Sequence, residues 1–143
     1  MSIKIVRHKL AALCVGCGFV ATISSCSSSL SPEEVAQAEA MAVAQACYDR
    51  LLSGDYDGFL AFRQGMDSLP EDYRQQMIGI YRQYIDSEES MHRGIRQATA
   101  IRAQMDTTMN IMQVFMLLNY GNGSQEEIVV PMVCSPEGQW KMK

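Results

Sequence analysis

The groups in this 143-residue chain that could do chemistry are five cysteines, two histidines, six tyrosines and sixteen carboxylates. Cys14 and Cys17 have the two-residue spacing of a metal or redox pair. A metal site would need a second pair, none follows, and both sit in an apolar run, so no metal is expected there. Cys47 and Cys134 could close a disulfide between an early helix and a late strand, or remain two separate buried thiols. His92 lies beside Arg93 and Gly94, where a helix C-terminus favours a cation, so a capping role is expected. A dehydratase-type dyad would instead need His92 in a cavity with a carboxylate in reach. An isomerase-type site would need a buried carboxylate base and tyrosine donors for an oxyanion. Tyr48, Tyr56, Tyr73, Tyr81, Tyr84 and Tyr120 could donate, but Glu33, Asp55, Asp57, Glu71 and Asp72 fall in caps, turns and outer helix faces. Asp49 and Asp106 are the acids least explained by such positions. Glu126 and Glu127 alternate across a strand and cannot share one metal. No glycine-rich phosphate loop or serine with a base occurs, so neither a catalytic residue nor a cofactor is expected. The tyrosines read as core residues with wet tips, lining a pocket.

Cys26 stands apart. Ile23-Ser24-Ser25-Cys26 resembles a bacterial lipobox, whose cysteine receives diacylglycerol. Upstream, Lys4, Arg7 and Lys9 make a basic start, and the apolar run from Leu10 to Ile23 is short for a membrane span but suits a signal peptide. The expected division is 1–25 signal, 26–31 lipidated cysteine and tether, and 32–143 folded domain. Three of the twelve basic residues precede Cys26 and all sixteen acidic ones follow it, leaving an acidic mature part of net charge −7. That balance excludes a basic groove for nucleic acid and a polybasic patch for anionic lipid. Membrane attachment then falls to the acyl chains, each buried methylene contributing about 0.8 kcal/mol. Ser27 follows the cysteine where enteric bacteria place aspartate for inner-membrane retention, and the tether lacks an acidic surface-export run. The expected address is the outer membrane, facing the periplasm.

Ser31-Pro32-Glu33-Glu34 opens a first helix with a capping box and proline in the first turn. It should run to about Ser53, with Ala36, Ala40, Val43, Cys47 and Leu51 at helical spacing. A short second helix is expected from Tyr56 to about Met66. Ser68-Leu69-Pro70-Glu71 repeats the cap signature for a third, carrying Tyr73, Met77, Ile80, Tyr81 and Tyr84 along one stripe. After Gly94 the period becomes alternating, with Ile95, Thr99, Ile101 and Ala103 on the expected apolar face. A second strand is expected from about Met109 to Tyr120, a tight turn at Gly121-Asn122-Gly123-Ser124, a third strand from Gln125 to Cys134, and a last one around Trp140. The order is α+β: three N-terminal helices, then a four-stranded antiparallel meander.

The second strand is apolar on both faces. Met112, Val114, Met116, Leu118 and Tyr120 lie on one side and Ile111, Phe115 and Leu117 on the other, so both need cover. Helices can cover one; a second copy, an envelope protein, or the chain's own loops could cover the other. The methionines at 105, 109, 112, 116 and 132 suit an adaptable pocket or an ordinary core equally.

With Ser31-Pro32-Glu33-Glu34, Gly54-Asp55-Tyr56, Tyr120-Gly121-Asn122-Gly123 and Gly138-Gln139-Trp140-Lys141 in that order, residues 31–143 resemble a family of small Bacteroidetes-type lipoproteins of unknown function with a nuclear transport factor 2-like fold. The resemblance implies a cystatin-like cone: a curved sheet wrapped around helices, with an internal pocket. It transfers no catalytic residue, and the wider superfamily holds isomerases and dehydratases beside binding modules. The expected function is a non-catalytic cell-envelope lipoprotein binding a small apolar ligand or a protein partner. Tyr48, Tyr81, Tyr84, Met112, Phe115, Met116, Leu118 and Tyr120 are the candidate pocket or interface residues. An isomerase or hydro-lyase and a structural subunit of an envelope complex are the alternatives.

Overall fold

The computed structural model describes residues 29–143; the candidate signal and Cys26 lie outside the described residues. Helices α1 (Pro32–Leu52), α2 (Tyr56–Ala61) and α3 (Glu71–His92) precede strands β1 (Ile95–Asp106), β2 (Ile111–Tyr120), β3 (Gln125–Cys134) and β4 (Trp140–Met142). The strands form one antiparallel sheet in chain order.

The start of α1 follows directly from its sequence. Ser31 Oγ accepts from the Glu34 N–H at 3.2 Å, and the Glu34 carboxylate accepts from the Ser31 N–H at 2.7 Å. Those hydrogen bonds hold the Glu34 carboxyl below its usual range. Ala40, Ala44, Cys47 and Leu51 form its buried stripe, and the small residues let α1 lie close against the sheet. Gln45 binds the edge of β1 as a neighbouring strand would. Its Nε2 donates to the Ala98 carbonyl and its Oε1 accepts from the Ala100 N–H, both at 2.9 Å, satisfying backbone groups that an edge strand otherwise leaves open.

Three local expectations are corrected. In β1 the pairing with β2 slips between Ile95 and Gln97 and again between Ala100 and Arg102. Each extra residue shifts the alternation, so the inward residues, opposite Tyr120, Leu118, Met116, Val114 and Met112, are Ile95, Ala98, Ala100, Ala103 and Met105. Thr99 drops out of the expected apolar face and Ile101 is exposed. Helix α2 stops at Ala61 because Gln64 leaves the helix to donate its N–H to the Met142 carbonyl, and Met142 donates in turn to Phe62. Ser68 does not cap α3; it belongs to a single 3-10 turn, and Pro70 takes the cap position without a side-chain hydrogen bond.

The stripe expected on α3 is also largely wet. Tyr73, Ile80, Tyr84 and Met91 are exposed, Ile80 by 54 %. The helix packs on α2 and the start of β1 instead of lying across the sheet, so only its Tyr81, Ile85 and Glu88 side turns inward. Its last turn is tied to the β2–β3 turn. The Gly121 N–H donates to the Gly94 carbonyl at 2.9 Å and the Asn122 N–H to the His92 carbonyl at 3.0 Å. This approach requires glycine at 121, where an added Cβ would run into the Arg93 carbonyl oxygen.

The core sits between α1 and β2, where Met112, Val114, Met116 and Leu118 are fully buried. On the outer face of β2, the Arg102 guanidinium lies over the Phe115 ring at 3.3 Å and pairs with Glu127 at 2.7 Å. The chain's own arginine therefore covers part of that face, while Ile101 and Val129 beside it stay exposed.

Candidate functional site

The candidate tyrosines fall into two groups along the inner side of α3. In the first, Phe59 stands edge-on to Tyr48 at 6.0 Å and to Tyr81 at 4.8 Å between ring centres. Helix α1 supplies Tyr48, α2 supplies Phe59 and α3 supplies Tyr81, so the cluster marks where the three helices meet. Arg63 donates from Nη1 to the Tyr81 hydroxyl at 2.8 Å and from Nη2 to the Lys143 carbonyl at 3.3 Å. With Val129, Val130, Pro131 and Met142 these residues border a cleft of about 200 Å³. Burial, aided by the nearby Tyr84, Cys47 and Tyr81, pushes the Tyr48 phenol well above its ordinary value, so it remains a hydrogen-bond donor at any physiological pH.

The second group lies at the C-terminal end of α3. Tyr120 donates to Glu126 Oε2 at 2.7 Å, and its ring packs against His92 with centres 4.8 Å apart. Burial, the Glu126 hydrogen bond and the carboxylates of Glu126 and Glu88 push its phenol far up. Burial and the same two carboxylates raise Tyr84. Glu88 is only 9 % exposed. Its buried Oε2 has no hydrogen-bond partner among the described residues, and His92 Nε2 stands 3.9 Å away, beyond hydrogen-bond reach but close enough to pair with it when protonated. His92 is therefore not merely a helix cap: it has a carboxylate near it and an aromatic partner. Sequence reasoning missed Glu88 and set Glu126 aside. Glu126 is placed across from Leu118 and thus on the core-side face of β3, a fact set by pairing register.

The remaining candidates are distributed otherwise. Met112, Met116 and Leu118 are fully buried in the same core cluster as Phe59 and Tyr120 and do not line the cleft, while Phe115 lies on the opposite face of the sheet. Asp49 accepts from Gln45 at 2.9 Å. Asp106 closes the β1–β2 turn by accepting from the Thr108 and Met109 N–H groups. Asp49 borders a depression of about 450 Å³ with Leu52, Arg96 and Thr99, but it is exposed and no tyrosine joins it there, so neither acid is a buried base. A larger depression of about 500 Å³ lies between the middle of α1 and Gly138–Lys141, where Trp140 Nε1 donates to Glu39 at 3.4 Å. No group of acids, histidines or cysteines suited to a metal occurs among the described residues.

The candidate disulfide is corrected: Cys47 and Cys134 are free thiols. Cys47 faces the core from α1, whereas Cys134 is exposed at the end of β3 with its Sγ against the Ser135 carbonyl. Burial pushes the Cys47 thiol up to about 12. Because the thiolate is the reactive form, iodoacetamide at pH 8 should label Cys134 within minutes and leave Cys47 unmodified until the fold is opened with denaturant. Peptide mass mapping reads the result; equal labelling of the two in the folded protein contradicts the burial.

No protein-family model matches the chain, and no curated protein matches it in sequence. A crystal structure from Campylobacter jejuni does match in fold. It is that of an NTF2-like protein provisionally named a transpeptidase, 10 % identical, superposing with a TM-score of 0.54 over 71 % of this chain and 94 % of the other. The class is thereby defined: this is an α+β domain of the nuclear transport factor 2-like fold. At that identity the likeness extends to the fold alone.

Proposed function

We propose that the chain is a cell-envelope lipoprotein whose domain, residues 32–143, binds a small, largely apolar ligand in the cleft where the three helices meet the β3–β4 side of the sheet. The observation that carries this reading is the cleft at the junction of the three helices, bordered by the Tyr48, Phe59 and Tyr81 rings and by Val130 and Met142. Aromatic and aliphatic walls supply apolar contact, and a few polar tips, the Tyr48 hydroxyl and the Arg63–Tyr81 pair, fix orientation. The lipobox-like Ile23–Cys26 and the short tether support a position at the membrane surface, and the basic residues needed for nucleic acid are lacking.

The provisional name of the Campylobacter jejuni protein raises acyl transfer as a rival. That chemistry needs an activated nucleophile beside a base. Here Cys47 is buried with its thiol held protonated, and Cys134 ends β3 opposite the end that faces His92 and Tyr120. The placement favours binding over transfer.

Native mass spectrometry of the full chain, released from nonionic detergent, tests the proposal. The expected spectrum contains a species heavier by one small molecule, and Tyr81→Ala reduces its fraction, with an affinity loss of at least about tenfold, or about 1.4 kcal/mol. An unchanged bound mass in Tyr81→Ala rules the cleft out.

A further inference from the structure

A carboxylate that is nine-tenths buried without a hydrogen bond is costly unless something else meets it. Glu88 is in that position: Oε2 is sealed with no hydrogen-bond partner among the described residues, and His92 Nε2 stands 3.9 Å from it, an ion-pair distance that counts only when the imidazole is protonated. Around it stand Tyr84 on the preceding turn of α3, His92 on the following one, Tyr120 on β2 and Glu126 on β3. Contacts run from one to the next: Glu88 Oε2 is 3.9 Å from His92 Nε2, the His92 and Tyr120 ring centres are 4.8 Å apart, and the Tyr120 hydroxyl reaches Glu126 at 2.7 Å, with Tyr84 one turn before Glu88. The cations closest in sequence are otherwise engaged or placed: Arg96 pairs with Glu89 at 3.1 Å, and Arg93 is the left-handed cap residue of α3. Glu126 uses one oxygen for the Tyr120 hydroxyl and is otherwise exposed, as is Tyr84, so both can be reached from solvent.

We propose that Glu88 and Glu126, flanked by the rings of Tyr84, Tyr120 and His92, form a site for a primary ammonium group. An ammonium brings three N–H donors and one positive charge. Two carboxylates and the Tyr84 hydroxyl can accept the donors, and aromatic faces favour the charge. The group supplies what Glu88 lacks, a donor for its unpartnered carboxylate. The site is separate from the cleft at Tyr48, Phe59 and Tyr81 and does not depend on a ligand there.

The test uses the full chain in nonionic micelles, with carbon-13 at the glutamate carboxyl carbons, titrated with n-butylammonium chloride and, separately, with equal sodium chloride. The Glu88 and Glu126 resonances, assigned from Glu88→Gln and Glu126→Gln, are expected to move saturably with butylammonium and not with sodium. Each variant is expected to bind at least about tenfold more weakly, the loss of one charge-assisted hydrogen bond. Near-ultraviolet circular dichroism checks that each variant is folded; if Glu88→Gln is not, Glu126→Gln carries the test, because glutamine can still accept from Tyr120. Tetramethylammonium, which has no N–H to donate, should act at least about tenfold more weakly. A response matched by sodium, unchanged affinity in a folded variant, or equal binding of tetramethylammonium overturns the proposal.

Discussion

Met116→Asp should abolish the fold, while Phe115→Asp, one residue away on the same strand, should leave it standing. Met116 is fully buried between α1 and the sheet, opposite Ala100 on β1 and Ile128 on β3. Removing a core methionine side chain costs about 2–5 kcal/mol, and an unpaired carboxylate in its place costs several kcal/mol more. The total is comparable to the whole stability of a domain this size, so the variant should lack a cooperative thermal transition. Phe115 faces outward under the Arg102 guanidinium, which keeps its pairing with Glu127 whether or not the ring is there. Its replacement removes one cation–π contact and some half-buried apolar area, a loss of about 1–2 kcal/mol that leaves a clear transition a few degrees lower. Thermal circular dichroism separates the two. Size-exclusion chromatography of Phe115→Asp adds a second readout, since any association of copies through the outer face, with Ile101 and Val129 exposed beside Phe115, should disappear with the charge.

Much of this contrast was legible before any coordinates. The alternation of Met112, Val114, Met116 and Leu118 against Phe115 and Leu117 is a short-range signal, as are the Ser31–Glu34 capping box and the turn at Gly121–Ser124. What stayed hidden depends on partners far away in the chain. Whether Thr99 or Ala98 points inward is decided by two slips in pairing with β2, which no local pattern encodes. The stripe on α3 predicted a buried face, but the helix settles at the side of the domain and leaves Tyr73 and Ile80 wet. Glu88 falls on the inner side of α3 one turn before His92, and Glu126 reaches the same place through its register with β2. Each looks like an ordinary surface acid when read alone. The one available signal was His92 four residues after Glu88, a spacing that puts both on one helix face.

The anchoring proposed for Cys26 predicts an equally large effect from a single atom. Cys26→Ser replaces a thiol, whose thiolate is a strong nucleophile, with a hydroxyl that is almost entirely protonated at neutral pH. Transfer of diacylglycerol should therefore fail outright. Each buried methylene contributes about 0.8 kcal/mol to membrane affinity, so two acyl chains hold the protein firmly where one would bind reversibly. Nothing in the mature part can replace that attraction, because nine basic residues against sixteen acidic ones leave it repelled by an anionic surface. Among the described residues no helix is long and apolar enough to cross a membrane. Cells fed labelled palmitate should show a labelled band for the parent chain, all of it in the membrane fraction and soluble only in detergent. The Cys26→Ser chain should carry no label, and any part of it cut free of the apolar run from Leu10 to Ile23 should leave the membrane fraction. Label retained by Cys26→Ser would move the acyl group to another residue. An unlabelled parent would remove the lipid anchor and leave the apolar run as the remaining candidate for holding the chain at a membrane.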